Sequence, residues 1–201
     1  MGVDNFDIIR PFLNFEDADA LYCVSVIMRR KDNPEMSKAT KLVRTYHIRS
    51  LENFDKCIPS IRSECSAMQA RAYIDTNAKS VKKVALLALR KAAELISENQ
   101  NDAVRNAYEL ACGSAPCIGQ KSWLVDIDVK DERVVSDTIE QVKAVGGAII
   151  LTLPTVNGSH VLTSPFPLKK FNKADNVSVV KHGITLLYTC ACPAELVLVP
   201  E

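Results

Sequence analysis

Residues 20–30, ALYCVSVIMRR, are rich in β-branched and apolar side chains, and KLVRTYHIRS at 41–50 alternates polar with apolar positions. Between them KDNPEMSK supplies Asp, Asn and Pro, so the pattern predicts a strand, a loop and a strand paired as a hairpin. The period then changes. Leu51, Phe54, Ile58, Ile61 and Cys65 recur at helical spacing behind Ser50, a good N-cap, and predict a helix that Pro59 kinks or splits. ARAYID at 70–75 reads as a third strand. From Ser80, SVKKVALLALRKAAELISEN sets Val81, Val84, Leu87 and Leu95 apart from Lys82, Lys83, Arg90 and Lys91, the clearest helical pattern in the chain. A short helix is expected over DAVRNAYELA. The Gly and Pro of GSAPCIGQK, residues 113–121, then separate an N-terminal α/β lobe, 1–112, from a second lobe, 121–201.

In the second lobe SWLVDID predicts a strand. VKDERVVSDTIEQVKAVGG predicts a helix carrying Val134, Val135, Ile139, Val142 and Val145 and ending at Gly146 and Gly147. AIILTLPT and SHVLTS read as strands joined at Asn157-Gly158, a tight hairpin signal. After a loop rich in Pro and Lys, ITLLYTCA and ELVLV form a last pair of strands. The order β-α-β-β, then β-β, is that of half a ferredoxin or RNA-recognition fold, a sheet backed by helices. The expected fold class is α+β, two lobes forming one compact unit.

Composition narrows the function only a little. The chain has 201 residues, 47% of them hydrophobic, and a net charge of +1. With both signs interleaved, no global field favours nucleic acid or a membrane, so any basic surface is local. The N-terminus lacks a signal-peptide pattern and no apolar run approaches the ~20 residues that span a bilayer, so a cytoplasmic protein is expected. The seven cysteines are odd in number and scattered, as suits free thiols in a reducing compartment. Zinc would need paired short spacings, and CGSAPC at 112–117 and the C-x-C at 190–192 have no second pair in step.

The chemistry concentrates in WLVDID. Alternation along a strand puts Asp126 and Asp128 on one face and Trp123, Val125 and Ile127 on the other. Two carboxylates that close repel unless a cation lies between them, and Mg²⁺ or Mn²⁺ bound with phosphate oxygens answers that need. The plainer reading is a strand end, with Lys130 or Arg133 neutralising the acids. His160 follows the tight turn on a strand that hairpins with AIILTL, which would bring it near the carboxylates. Arg71, amid apolar strand residues, calls for an anion: a phosphate, Asp75, or one of the paired aspartates.

Asp-hydrophobic-Asp on a strand, a helix, a strand and a Thr-x-x-Gly-x-His hairpin together resemble the catalytic core of archaeo-eukaryotic primases and primase-polymerases over residues 121 to about 190. Most of the chain also looks like a family of phage and bacterial proteins of unassigned activity. The shared features are K-D-N-P (Lys31 to Pro34), A-R-A-Y-I (Ala70 to Ile74), W-x-x-D-I-D (Trp123 to Asp128), T-x-x-G-x-H (Thr155 to His160), S-P-F and T-L-L-Y (Thr185 to Tyr188).

The primase resemblance implies a nucleotidyltransferase acting on nucleoside triphosphates in replication, with DNA or RNA as a further partner; the hydropathy reading adds no membrane partner and a cytoplasmic place, that of a bacterial host if the chain is phage-encoded. Asp126 and Asp128 would be the ligands of Mg²⁺ or Mn²⁺ and His160 the triphosphate contact. Gly158 would take the small position two before that His, and Arg71, from its own strand context, Ser159 and Lys181 are further candidates for the substrate site. One departure is plain: primase-polymerases carry a third acid on a later strand, and GITLLYTCA has none. Asp175, Glu195 and His182 lie nearby in sequence but off the expected position. The alternative is a catalytically incomplete primase-like module that binds nucleotide, nucleic acid or a protein partner.

Overall fold

A computed structural model describes residues 2–190. A short strand β1 (Val3–Asp4) and a one-turn helix α1 (Phe6–Ile9) lead into β2 (Ala20–Arg29) and β3 (Thr40–Ile48), which pair antiparallel as the expected hairpin. α2 (Leu51–Ala67) begins at Ser50, whose hydroxyl accepts the Asn53 N–H at 3.0 Å. Pro59 does not divide this helix. Phe54 before it and Ile61 after it are both fully buried. At about 1.5–3 kcal/mol each, such burial offsets the ~3 kcal/mol of an internal proline.

β4 (Arg71–Ser80) runs on from ARAYID to the residue that caps α3 (Val81–Ser97), where the Ser80 hydroxyl accepts the Lys83 N–H at 3.0 Å. α4 (Ala107–Ser114) packs back on α3. β5 (Trp123–Ile127) follows, then α5 (Glu132–Ala144), capped by Asp131 and ended by Gly146 at φ +90°, a conformation that glycine adopts without steric cost. β6 (Ile149–Pro154), β7 (Ser159–Thr163), β8 (Val177–Val180) and β9 (Ile184–Thr189) complete the described chain.

The strands form two antiparallel sheets, ordered β1-β9-β4-β2-β3 and β6-β7-β5-β8. The fold is therefore α+β. In the second sheet β5 and β6, joined through α5, are separated by β7, the split β-α-β arrangement. β9 departs from the sequence reading, which put it in the second lobe: it pairs with β4 in the first sheet, so the boundaries 1–112 and 121–201 do not divide the two sheets. Thr185, Leu186 and Leu187 are all buried, so β9 is covered on both faces and its apolar run carried no sign of which sheet it would join. Its expected partner ELVLV lies outside the described residues.

One face of β2 and β4, with Val24, Val26, Ala72 and Ile74, packs with Phe54, Ile61 and Cys65 of α2. Leu124, Leu153 and Leu162 of the second sheet belong to that same buried cluster. On the far face of the second sheet Val125, Ile127 and Val161 pack with Val142 of α5. A buried polar link also joins the sheets. The Thr76 hydroxyl donates to the Gly183 carbonyl at 2.7 Å, and the Asn77 amide both donates to the Ser122 carbonyl at 3.2 Å and accepts its N–H at 2.7 Å. With each buried polar group answered, this link fixes the start of β5 against β4.

Candidate functional site

Asp126 and His160 are direct cross-strand partners in β5 and β7, so their side chains leave the same face of the sheet. Nε2 of His160 lies 3.3 Å from Oδ1 of Asp126. Nδ1 lies 2.8 Å from the Thr185 hydroxyl and 3.5 Å from the Leu186 N–H, both on β9. A backbone N–H only donates, so Nδ1 is the acceptor and the ring proton sits on Nε2, facing Asp126. A strand of the first sheet thus orients an imidazole carried by the second. Asp128 follows β5, its N–H held by the Asn176 carbonyl at 2.9 Å and its side chain exposed.

Asp126, Asp128 and His160 open into a cavity of about 360 Å³ between the sheets. Arg29, Arg71 and Tyr73 of the first sheet, with Lys31 of the turn after β2, line the opposite wall. Arg71 forks onto Asp32, with Nε to Oδ2 at 2.7 Å and Nη2 to Oδ1 at 2.5 Å. Burial acts to lower the pKa of this guanidinium, but the bonds and charge of Asp32 raise it above its ordinary value, so Arg71 is a fixed cation. Its partner is neither Asp75, which holds Lys79 at 3.2 Å, nor the paired aspartates.

Arg29 donates from Nη1 to the Tyr73 hydroxyl at 3.0 Å, and the Asn33 amide ties the K-D-N-P loop to the Arg29 and Gln69 carbonyls at 3.2 and 3.0 Å. Sequence reading gives Arg29 no role and knows Lys31 only as the start of K-D-N-P. The signal that would have found them is register: Ile27 of β2 sits opposite Arg71 of β4, so the residues just beyond Ile27 flank the same cleft.

The remaining candidates separate. Gly158 lies behind the cleft, where β7 crosses the end of β5. A Cβ there would stand 1.9 Å from the Ile127 carbonyl oxygen and 2.8 Å from the Val129 nitrogen. Its role is close backbone approach. The turn itself is four residues long, 155–158, closed by the Thr155 N–H to the Gly158 carbonyl at 2.9 Å and the Gly158 N–H to the Thr155 hydroxyl at 3.0 Å, in place of the two-residue turn that Asn-Gly suggests.

Ser159 sits opposite Ile127, on the face turned to α5. Lys181 places Nζ over the Trp123 ring, 5.6 Å from its centre, on that same face. The alternation that gathers Asp126 and Asp128 into the cleft excludes these two. His182 is exposed and does not line the cavity. On the expectation that this cleft takes a nucleotide, Lys181→Ala leaves its affinity unchanged, whereas Lys31→Ala weakens it by about 10- to 100-fold, the worth of one charge-assisted hydrogen bond. Equilibrium titration of both variants checks this, and a loss confined to Lys181→Ala would reverse the assignment.

Asp126 and Asp128 both line this cavity and offer the hard oxygen donors that Mg²⁺ or Mn²⁺ takes with water and phosphate oxygens, but with His160 they do not bring three ligand atoms within 4.8 Å of one another. Among the described residues no third carboxylate lines the cavity. Asp32 is committed to Arg71 and Asp75 to Lys79. Glu195 lies outside the described residues.

A second cluster was hidden by sequence distance. Cys23, His47 and Cys112 bring their ligand atoms within 4.8 Å of one another. A hydrogen bond from Cys23, with support from His47, lowers the Cys112 thiol to about 6 despite its burial, and the same bond pushes the Cys23 thiol up. The Cys112 sulfur in turn raises the pKa of His47.

The chain matches no protein-family model, no curated protein and no solved structure. Among the described residues no helix is long and apolar enough to cross a membrane.

Proposed function

We propose that the protein is a metal-dependent nucleotidyltransferase of the primase-polymerase type, acting on nucleoside or deoxynucleoside triphosphates. The observation that carries this reading is the Asp126–His160 pair, which opens with Asp128 into a cavity whose far wall bears Arg29, Lys31 and Arg71. The split β-α-β order of the second sheet agrees with a primase-like core. When bound at Asp126 and Asp128, Mg²⁺ or Mn²⁺ supplies charge neutralisation of the triphosphate. The chain's own residues bind and orient. Nε2–H of His160 donates to a phosphate oxygen, Arg29 of β2 and Lys31 of the turn after it engage the charge, and Leu124, Ile184, Leu186 and Tyr73 offer a wall for the base.

The absence of a third carboxylate among the described cavity-lining residues favours one competing reading, a module that holds nucleotide without turning it over. Incubation with labelled NTPs and dNTPs, Mn²⁺, and primed or unprimed template separates the two. Extension products from the parent that vanish in Asp128→Ala support the enzyme. Binding without product assigns the second reading, and no binding of any nucleotide sinks both.

A further inference from the structure

The face of the first sheet that walls the cleft carries a different donor set at its other end. Cys23 of β2 and His47 of β3 are direct cross-strand partners, so their side chains stand side by side. α4 lays Cys112 across them, and the three donors lie within 4.8 Å of one another. Glu109, three residues before Cys112 and so on the same side of α4, places Oε1 3.9 Å from His47 Nε2. That Nε2 is buried and has no hydrogen-bond partner among the described residues, a state that calls for an explanation in a native fold. The apolar cluster beneath is small: Leu21, Val84, Ala111, Cys112 and Ala115 are its buried members.

We propose that Cys23, His47 and Cys112, with Glu109 as fourth ligand, form a zinc site that fastens α4 to the first sheet. Two thiolates and an imidazole are the soft and borderline donors that select Zn²⁺ over the hard cations suited to Asp126 and Asp128. Zinc bonds of about 2.3 Å to sulfur and 2.0–2.1 Å to nitrogen set donor separations of about 3.5 Å in a tetrahedron, so the cluster needs to close by no more than about 1 Å on binding. The site adjoins the nucleotide cleft without sharing its ligands, since Tyr73 and Ile184 line both cavities. It is a structural clamp on the wall of that cleft and is independent of the chemistry proposed there.

Cobalt titration of the full metal-free chain tests the proposal. The expected result is uptake of a single equivalent of Co²⁺ with a thiolate-to-cobalt charge-transfer band and tetrahedral d–d bands, all removed by added Zn²⁺. Cys23→Ser and Cys112→Ser abolish the charge-transfer signal at that stoichiometry, while Cys57→Ser and Cys117→Ser retain it. Absence of the bands in the parent overturns the proposal. So does their survival in Cys112→Ser, which would move the site to the C-x-C at 190–192. Because serine at a packed position also disturbs folding, a second measurement uses the parent alone. Zinc is expected to protect Cys112, the thiol that ionises in the metal-free chain, from iodoacetamide, located by peptide mass spectrometry, and equal labelling of Cys112 with and without zinc contradicts the site.

Discussion

Replacing Gly158 with alanine is expected to destabilise the protein by about 3 kcal/mol, the upper end of the usual cost of overpacking. For a chain of this size that lowers the melting temperature by roughly 6–12 °C. The new Cβ would meet the Ile127 carbonyl oxygen at 1.9 Å and both the nitrogen and oxygen of Val129 at 2.8 Å, all backbone atoms that no rotamer change can clear. Relief requires β7 to move away from β5. That movement breaks the register that sets His160 opposite Asp126, so nucleotide binding falls with stability. Gly113→Ala is the control. It lies in α4 with nothing within 4 Å of its added Cβ, and gains up to about 1 kcal/mol from helix propensity. A thermal melt checks the pair, and a Gly158→Ala melt within about 2 °C of the parent, under 1 kcal/mol, would contradict the close-approach account.

Asp126→Asn is expected to weaken Mn²⁺-dependent nucleotide binding by at least about 100-fold, since losing even an outer partner of a metal ligand costs 10–100-fold. The amide keeps the size of the carboxylate and an oxygen that can accept from His160 Nε2, 3.3 Å away in the parent. Stability should therefore change by no more than about 1 kcal/mol, the net worth of one ordinary hydrogen bond. The contrast between the two variants is informative. Gly158→Ala loses binding through the fold, whereas Asp126→Asn loses it with the melting temperature preserved. Melting and titration run on both proteins distinguish them, and an Asp126→Asn variant that binds like the parent would remove the carboxylate from the site.

The sequence made the local elements legible because their signals are local. Ser50, Ser80 and Asp131 each cap the helix they precede, Gly146 ends α5, and the hairpin of β2 and β3 spans the expected residues. Alternation along WLVDID, joined to a hairpin return, was enough to place Asp126, Asp128 and His160 on the lining of one cavity. Long-range pairing was not legible. β9 reads as a strand but not as a partner of β4, and the fork between Arg71 and Asp32 spans 39 residues. Ser159 and Lys181 adjoin His160 and His182 in sequence, but the two-residue period of β7 turns Ser159 from the cleft and Lys181 lies over Trp123 on that same far face. The cysteine cluster was missed for a further reason. Metal spacings are recognised when ligands are close in sequence, and here a cross-strand pair and a distant helix supply them.

In the proposed function the cleft between the sheets holds a nucleotide through a divalent cation at Asp126 and Asp128. Isothermal titration of the parent with each NTP and dNTP, in Mn²⁺ and again in excess EDTA, tests it most directly. The account predicts saturable heat with Mn²⁺ that disappears when the metal is chelated. Binding that is indifferent to chelation, or no heat with any nucleotide, would contradict it and leave Asp126 as an ordinary partner of His160 at the end of a strand.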